Sequence, residues 1–463
     1  MRRRLALAVT KPQRVLSVGY ANVHDSHTRP PVLIHRNQAL PPAIALPLLL
    51  LLAMSSLQTK AMGGAWVLLV ITGLWALWRT RHTRSHDTAP WIKTWLIATG
   101  LAMVLKTIPT LYWADPWAER QGEIRLLLGA LAVWGLSRWR TLNAPTVAHI
   151  AHALTISSAL GLAWVLTYGR GEVCTHPIPW AVSMAMVSGW LLAMGLRSDA
   201  SPLERRVWWM GGVFALLAVL ASQSRGAFGI VGWWGAALMH QAWKNRHHTR
   251  SQRHLMTKAL WITAALAALL WALSYTPVLQ RPAQSLRDAV HEITQSQQST
   301  AAGANSSVGA RLYMWQRSQE AIAQSPWIGH GHDGRKQALA TWAAQAQSDE
   351  VSRLGHLHNE YLNQLVDHGL WGLASQLSYL VGLLWMVKQL LQARQQRAAQ
   401  VIGCIAFMHL VSSMSNVNFA HNYYTTALSL LVMLGLWLAE LNAEKHKEPE
   451  GSLVGPAKPL KPA

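Results

Sequence analysis

Long apolar runs separated by short polar segments dominate the chain. A helix needs about 17 to 25 apolar residues to cross a bilayer, and twelve runs approach this length. They cover residues 40–58, 62–78, 91–108, 124–140, 146–168, 177–196, 205–222, 226–243, 255–275, 370–392, 398–415 and 422–441. Because lipid offers no partner to an unpaired backbone N–H or C=O, each run is expected to be helical. The pattern predicts an all-α polytopic membrane protein of about twelve transmembrane helices.

The longest polar segment lies between the ninth and tenth runs. Residues 276–369 are predicted to form one large loop, and loops of this length are usually functional or disordered. Apolar residues from Leu312 to Ile322 recur at helical spacings, and the chain then turns at SPWIGHG, where proline and glycine end the helix. The stretch HNEYLNQLVDHGLWGL begins a second helix, with His358 expected in its first turn.

Composition and charge agree with this reading. Hydrophobic residues make up 51% of the chain and charged residues 13%, against roughly 25% charged in an ordinary soluble protein. Most of the 41 lysines and arginines fall in alternate segments between the runs. Because cytoplasmic loops are enriched in both residues, this alternation predicts that both termini are cytoplasmic and the large loop is on the outer side. The net charge of +21 then reflects loops beside anionic lipid and requires no nucleic acid.

The predicted organisation has five parts. Residues 1–39 form a basic cytoplasmic tail that lacks the apolar core of a signal peptide. Residues 40–275 hold transmembrane helices 1 to 9, and residues 276–369 form the large outer loop with its amphipathic helices. Residues 370–441 hold helices 10 to 12, and residues 442–463 form a second cytoplasmic tail.

His358 is the first candidate for chemistry. It stands outside the bilayer at the start of a helix that leads into the tenth apolar run. Histidine has an ordinary pKa near 6.5, so it is the side chain best suited to gain or lose a proton near neutral pH. It could therefore act on a molecule whose other end is embedded in lipid. The alternative interpretation is that His358 and Asn359 only cap the helix.

Two arginines add a site for phosphate. Arg225 lies in SQSRGAFG, at the outward end between the seventh and eighth runs, and Arg311 lies near the start of the loop helix. The planar fork of arginine binds phosphate oxygens in pairs. The alternatives are that Arg225 extends to lipid phosphate and that Arg311 is a solvated helix residue. Together with His358, the two arginines predict a reaction at a lipid-linked phosphate.

The sequence offers no evident metal site. Many nucleotide-sugar transferases use Asp-x-Asp to hold a divalent cation, and the chain contains no Asp-x-Asp. Cys174 and Cys404 have neither metal-ligand spacing nor the pattern of a disulfide framework, and we assign them no role. We therefore expect arginine in place of a metal ion, and no cofactor.

Three motifs resemble the O-antigen ligase and polymerase superfamily. They are SRGAFG, the Arg311-x-x-x-Trp315 pattern leading to PWIGHG, and HNEYLNQLVDHGLWGL, which together span roughly residues 205–380. The resemblance implies a polytopic inner-membrane glycosyltransferase of the GT-C type. It implies action on the periplasmic face on glycan linked to undecaprenyl pyrophosphate, without a metal ion.

The resemblance also implies residue roles. Arg225 and Arg311 would hold the pyrophosphate, and His358 would be the catalytic base that takes a proton from the acceptor hydroxyl. The two arginines suit the negative charge that develops on the leaving pyrophosphate. The supporting candidates are His356, Asn359 and Trp315.

The acceptor separates three activities within the superfamily. A ligase transfers glycan to lipid A-core, a polymerase extends another lipid-linked repeat, and an oligosaccharyltransferase modifies a serine or threonine of pilin or another protein. We favour the ligase because a single compact loop leaves an open lateral face for a second lipid. The alternative of another class is a lipid-glycan transporter. Coupled transporters carry ionisable residues near the bilayer midplane, and no Asp or Glu lies in the middle of a predicted span.

Overall fold

The computed structural model describes residues 40–82, 88–139, 144–197, 200–245, 304–305 and 307–445. These residues form helices joined by turns, without a β-strand, so the all-α prediction is confirmed for them. The helices of the first half are α1 Pro42–Ala53, α2 Thr59–Arg79, α3 Pro90–Tyr112, α4 Gln121–Trp139, α5 Ala144–Tyr168, α6 Pro177–Gly195, α7 Pro202–Ala221 and α8 Gly229–Asn245. Those of the second half are α9 Ser307–Gln324, α10 Gly331–Ala346, α11 Asp349–Arg353, α12 Glu360–Gln392, α13 Gln396–Ser413 and α14 Asn422–Lys445.

Every predicted apolar run within the described ranges coincides with a helix. Six described helices are long and apolar enough to cross a membrane, namely α2, α3, α5, α6, α12 and α14. Helix α1 is apolar but only 12 residues long. The polytopic membrane class is therefore supported, whereas the number twelve and the sidedness stay predictions. The ninth run, 255–275, and both predicted tails, 1–39 and most of 442–463, lie outside the described residues.

Helices α6 and α14 form the centre of the bundle, because nearly all of their described side chains are buried. Helix α6 packs against α7 and α13, and α14 packs against α4. Small residues permit the closest crossings: a Cβ added at Gly73 of α2 would collide with the backbone of Ala132 in α4. Close approach at small residues is typical of helices that associate in membranes.

Among the described residues, four of five contacts between a cation and an indole ring lie at one end of the bundle, and the fifth, Arg120 with Trp117, lies at the opposite end. At the ends of α2, α4 and α12, a cation lies over an indole ring in the pairs Arg79 and Trp75, Arg81 and Trp78, Arg138 and Trp134, and Lys388 and Trp385. Tryptophan is enriched at membrane interfaces, and lysine and arginine at the cytoplasmic one. This end is the one that charge alternation predicts to be cytoplasmic.

A second, smaller hydrophobic core lies in the segment that the sequence predicts to be the large outer loop. It is formed by α9, α10, α11 and the first two turns of α12. Its buried residues include Met314, Trp342, Val351, Leu357 and Val366. The turn after α3 contacts it, because the indole N–H of Trp113 donates to the carbonyl of Ile328 at 3.0 Å. The predicted helices on either side of SPWIGHG are confirmed, and α10 is an additional helix that the sequence analysis did not predict.

A backbone break at Gly369 divides α12 into a polar part and an apolar part. Gly369 has φ of 60° and ψ of −149°, a region that only glycine adopts readily. The Pro326–Gly329 turn docks there, with Leu370 N donating to the carbonyl of Pro326 at 2.8 Å and His330 N donating to the carbonyl of Val366 at 2.9 Å. The break lies at the residue where the sequence prediction ends the loop and begins the tenth span.

Replacing Gly369 by alanine should destabilise this junction. A Cβ at this position would collide with the backbone of Trp327, and the unusual backbone conformation alone costs about 1 to 3 kcal/mol. We expect a lower thermal midpoint in detergent for Gly369→Ala. The matched control is Gly100→Ala in α3, where a Cβ meets open space and alanine is expected to stabilise the helix by about 0.5 to 1 kcal/mol. Equal midpoints for the two variants would contradict the role of the break.

Candidate functional site

Helix α12 begins directly after the histidine pair. The side chain of Asn359 is the N-cap, and its Oδ1 accepts from the N–H groups of Tyr361 at 3.0 Å and Leu362 at 3.2 Å. His358 precedes the cap in a left-handed conformation with φ of 50°. The prediction that His358 lies in the first turn of the helix is therefore wrong, because the capping asparagine sets the helix start one residue later. The capping interpretation holds for Asn359 alone.

Three contacts hold the segment that carries His356 and His358. The indole N–H of Trp315 donates to the carbonyl of Leu357 at 2.7 Å, and Leu357 N donates to Asn363 Oδ1 at 3.3 Å. A guanidinium N–H of Arg335 donates to the carbonyl of Gly355. The segment is thus fixed from α9, α10 and α12 at once, and Trp315 is placed as an anchor of its backbone.

A buried ion pair fixes the arginine of this clamp. Arg335 Nε lies 2.6 Å from Asp367 Oδ1, and the side chains are 6% and 2% exposed. Asp367 Oδ2 accepts from the amide of Asn363 at 2.9 Å. Removing one partner of such a pair strongly destabilises a fold, because a buried charge is left unpaired. The sequence analysis missed this clamp; the available signal was the i, i+4 spacing of Asn363 and Asp367 on one helix face.

Loss of the Trp315 contact should impair turnover more than folding. We expect Trp315→Phe to keep the packed ring and lose the N–H that holds Leu357, which lowers kcat roughly 2- to 10-fold and leaves KM for the donor unchanged. The control is Trp327→Phe, since that side chain is 68% exposed. Steady-state kinetics and a thermal midpoint for both variants check this. A kcat for Trp315→Phe equal to that of the control would remove the positioning role.

His358 is buried and held in its neutral form. It is 8% exposed, and its Nδ1 is buried without a hydrogen-bond partner among the described residues. The ring centroid of His356 lies 4.3 Å away. Burial first, and then the positive potential of His356 and Arg311, lowers the pKa of His358 to about 2. A neutral imidazole with an unused nitrogen can accept a proton.

The two predicted arginines lie on the same side of the site. Arg311 stands one turn inside α9, and its Nε is buried without a hydrogen-bond partner among the described residues. Burial lowers the pKa of Arg311, the charge of Arg225 lowers it further, and the carboxylate of Glu350 raises it. Arg225 is exposed at the short 3-10 turn Arg225–Ala227 after α7. The structure thus groups Arg311, His356 and His358, and it places Arg225 where its charge acts on Arg311.

Further basic groups complete the site. The rings of His176 and His421 stack with centroids 5.1 Å apart, and the ring of His421 lies 6.4 Å from that of His356. Burial lowers the pKa of His176, and the charge of Arg170 lowers it further. Burial likewise lowers the pKa of Arg170, and the charge of Arg225 lowers it further. We call this set the basic ring; its members are Arg170, His176, Arg225, Arg311, His356, His358 and His421.

The sequence analysis missed three members of the basic ring. Arg170 and His176 lie between α5 and α6, and His421 lies between α13 and α14. No local motif marks them, since each is a lone polar residue in a turn. The order of the predicted spans could have identified them. The turns that hold them follow odd-numbered spans, so they are predicted on the same side of the membrane as the turn of Arg225 and the large loop.

A second polar network lies beneath the site and joins α3 to α12. Lys106 is 2% exposed, and its Nζ lies 2.9 Å from Gln364 Oε1 and 3.0 Å from His368 Nδ1. His368 Nε2 lies 2.8 Å from Asp115 Oδ2, and Asp115 Oδ1 accepts from His332 N at 3.0 Å. The network connects the end of α3 to α10 and α12. It too was missed, because Lys106 lies inside a predicted apolar run.

The electrostatics of the basic ring suit an anion. Every charged group that shifts the pKa of His356 or His358 is basic, and like charges held close together repel one another. Across the described ranges, no group of three or more His, Cys, Asp or Glu is arranged to hold a metal ion. Whether the chain works without a metal stays a prediction.

The fold and the site define a class: a helical protein with membrane-spanning apolar helices and a partly buried cluster of basic side chains. Residues 210–377 match the family model described as O-antigen ligase. The match includes Arg225, Arg311 and His358, and it confirms the resemblance to the O-antigen ligase and polymerase superfamily. Arg170, His176 and His421 lie outside the matched residues.

A curated relative matches over a shorter length. An uncharacterised protein of Haemophilus influenzae is 31% identical over 129 residues, which are 27% of this chain and 30% of the relative. The alignment thus spans less than a third of the relative's length. The activity, substrates and partners of the whole protein are therefore matters for proposal.

Proposed function

We propose that the chain is a metal-independent glycosyltransferase that moves a glycan from undecaprenyl pyrophosphate to lipid A-core on the periplasmic face of the bacterial inner membrane. One observation carries the proposal: His358 Nδ1 and Arg311 Nε are both buried without a hydrogen-bond partner among the described residues, and the charge of Arg311 acts on the pKa of His358. The family match at residues 210–377 supports ligase or polymerase chemistry in general. The apolar helices around the site suit a donor and an acceptor that are both lipids.

His358 supplies the base of this reaction. As the acceptor hydroxyl attacks the anomeric carbon, its proton passes to the neutral imidazole of His358. A new glycosidic C–O bond forms while the bond from the anomeric carbon to the pyrophosphate oxygen breaks. Both electrons of that bond leave with the pyrophosphate. The lowered pKa of His358, about 2, keeps its imidazole neutral, and the negative charge of a bound pyrophosphate would raise the proton affinity of that imidazole.

Arg225 and Arg311 stabilise the leaving group. Negative charge grows on the pyrophosphate in the transition state, and fixed cations aimed at it lower the barrier. The positive charges of the two arginines oppose each other, since Arg225 lowers the pKa of Arg311. A bound pyrophosphate would offset this repulsion and accept a hydrogen bond from the Nε–H of Arg311. The same chemistry serves a polymerase or a protein oligosaccharyltransferase, because these differ only in the acceptor.

A lipid-glycan transporter is the second candidate. The observation in its favour is Lys106, an ionisable residue buried within α3, since such residues often mark transport pathways. Its ammonium is held by Gln364 and His368 beneath the site, which also fits a purely positioning role. Purified protein in liposomes would separate the two functions: a transporter moves lipid-linked glycan across the bilayer without changing it, whereas the proposed enzyme releases undecaprenyl pyrophosphate.

Deletion of the gene tests the acceptor. Lipopolysaccharide from the deleted strain should show core without the ladder of long glycans if the chain is a ligase. A ladder reduced to single repeats would identify a polymerase, and an unchanged ladder with loss of glycan from pilin or another protein would identify an oligosaccharyltransferase. Complementation with a His358→Asn variant is the control, because it should fail in every one of these cases.

A further inference from the structure

Two turns meet beyond the end of α3 and present exposed aromatic rings together. The end of α3 and the turn after it carry Tyr112 and Trp117, which are 68% and 60% exposed. The turn after α9 carries Trp327, which is 68% exposed. The two turns are in contact, because the indole N–H of Trp113 donates to the carbonyl of Ile328 at 3.0 Å. We call Tyr112, Trp113, Trp117 and Trp327 the aromatic surface.

Buried contacts beneath the aromatic surface fix it to the rest of the protein. Asp115 Oδ1 accepts from His332 N at 3.0 Å, and Asp115 Oδ2 lies 2.8 Å from His368 Nε2. A Cβ added at Gly331 would collide with the ring of Trp113. The exposed rings are therefore presented on a fixed frame. Contiguous exposed apolar patches of this kind mark places where a membrane or another protein binds.

The aromatic surface continues the exposed apolar side of α3 and α12, which pack against each other. A stripe of exposed apolar residues, three or four positions apart, runs along each helix. The stripes are Ile97, Leu101, Val104, Ile108 and Leu111 on α3, and Leu377, Val381 and Leu384 on α12. Both helices are long and apolar enough to cross a membrane, so these stripes face its hydrocarbon. Tyr112 directly follows the α3 stripe, and the aromatic surface therefore lies at the stripe's end.

The lengths of the two helices place that end at a membrane interface. On α12, Lys388 lies over the ring of Trp385 at the opposite end. From Lys388 to the break at Gly369 the helix rises about 28 Å, at about 1.5 Å per residue. The same length separates Lys93 from Tyr112 on α3. The hydrocarbon core of a bilayer is about 30 Å thick, and tryptophan and tyrosine are enriched at its two interfaces.

The polar part of α12 lies level with the ends of α3 and α13. Gln364 Oε1 lies 2.9 Å from the Nζ of Lys106, which belongs to the last two turns of α3. The hydroxyl of Tyr361 donates at 3.2 Å to the carbonyl of Leu410, in the last turn of α13. The polar part thus crosses the helix ends and does not project beyond them. The segment 356–358 leads directly into it, so this segment lies in the headgroup layer.

We propose that the aromatic surface is an anchor for a lipid surface. It inserts into the interface of the bilayer at this end and holds the segment 356–358 at the height of the lipid phosphates. Indole and phenol rings suit this position, because their apolar bodies lie among acyl chains while the N–H or O–H reaches the headgroups. The anchor rests on the apolar helices, and only its effect on turnover rests on the proposed function.

Spin labels measure the depth of the aromatic surface in the full chain. Tyr112→Cys and Trp327→Cys are labelled one at a time, after Cys174 and Cys404 have been replaced by alanine. The protein is placed in nanodiscs of phosphatidylethanolamine and phosphatidylglycerol. Both labels should collide more with oxygen, which concentrates in lipid, than with a water-soluble nickel complex. A label at Ala344→Cys, exposed near the far end of α10, is the control and should collide more with the nickel complex.

Turnover in a bilayer tests whether the anchor sets the height of the segment 356–358. Tyr112→Ser combined with Trp327→Ser should lower turnover of a full-length polyprenyl donor in nanodiscs by about tenfold or more, because a small displacement of reacting groups is costly. With a short-chain donor in detergent, where no bilayer plane fixes the height, the same variant should match the unaltered protein. Trp78→Ser is the matched control, since this indole is 61% exposed at the opposite end, and it should keep its turnover in nanodiscs.

The outcomes separate the anchor from the proposed function. Labels at positions 112 and 327 that collide mainly with the nickel complex would overturn the anchor. Labels shielded from both reagents would overturn it as well, because a protein partner or a second copy would then cover the surface. If the labels lie in lipid and the double serine variant keeps its turnover in nanodiscs, the surface does not set the height. If the unaltered protein transfers no glycan in either medium, the proposed function fails while the labels still decide the anchor.

Discussion

Turnover is expected to fall by about 10² to 10⁴ in the His358→Asn variant, the range that a general base contributes. Asparagine cannot accept the proton of a hydroxyl at neutral pH, and it tolerates the left-handed backbone that His358 adopts at φ of 50°. The variant therefore removes the chemistry and retains the local structure. Donor binding should persist, since Arg225 and Arg311 are untouched.

Asn359→Ala is the matched control for the histidine. It removes the two hydrogen bonds that cap α12 and should cost about 0.5 to 2 kcal/mol of stability, while His358 keeps its imidazole. The two readings of the His358–Asn359 pair thus predict opposite patterns. A base gives a folded, inactive His358→Asn and a less stable, active Asn359→Ala. Substantial turnover by folded His358→Asn would show that His358 is not the general base and has only a structural role.

The pH profile offers a second test of His358. Because burial, His356 and Arg311 lower its pKa to about 2, the neutral base form persists well below the ordinary histidine value of 6.5. The kcat/KM profile reports the free enzyme, so it should show no loss near pH 6.5. Bound pyrophosphate favours the imidazolium by its negative charge, and the acid limb of kcat should therefore lie at higher pH than that of kcat/KM. An acid limb of kcat/KM centred at the ordinary value would identify an exposed histidine as the base.

The sequence predicted the helices well because a membrane imposes a simple pattern. Every described apolar run is helical, and the turn at SPWIGHG and the helix after His358 are where glycine, proline and Asn359 indicate them. The one-residue error at His358 arose because a cap has no apolar signal. The break at Gly369 was not predicted, since it depends on the backbone of Trp327 docking against it.

The candidate site was only partly predictable from one sequence. Arg225, Arg311 and His358 stand in recognisable motifs, and the structure brings them to one side. Lys106 was read as part of an apolar run because its partners, Gln364 and His368, are more than 250 positions away. His421 reaches the site through the packing of α13 and α14. Contacts between distant segments leave no trace in local periodicity, and these residues therefore required the fold.

The Arg311→Ala variant should lose about 2.7 to 4 kcal/mol of transition-state stabilisation, or about 10² to 10³ in rate. Arg311 Nε is buried without a hydrogen-bond partner among the described residues, so its removal breaks no hydrogen bond between that atom and those residues. Arg311→Lys should rescue only part of the rate, because it keeps the charge and loses the planar fork. The control is Arg317→Ala on the same helix, whose guanidinium pairs with the exposed Glu320 and donates to Gln345 of α10.

A spectroscopic measurement distinguishes this role of Arg311 from a structural one. Since the charge of Arg311 helps to lower the pKa of His358, Arg311→Ala should raise that pKa, and the acid limb of kcat/KM should move to higher pH. Titration of the His358 ring by NMR in labelled protein would follow the same change directly. A charge on the far side of α9 has no such effect, so Arg317→Ala should leave the titration unchanged. Near-normal turnover of folded Arg311→Ala, with an unshifted His358 titration, would show that the pyrophosphate is held elsewhere.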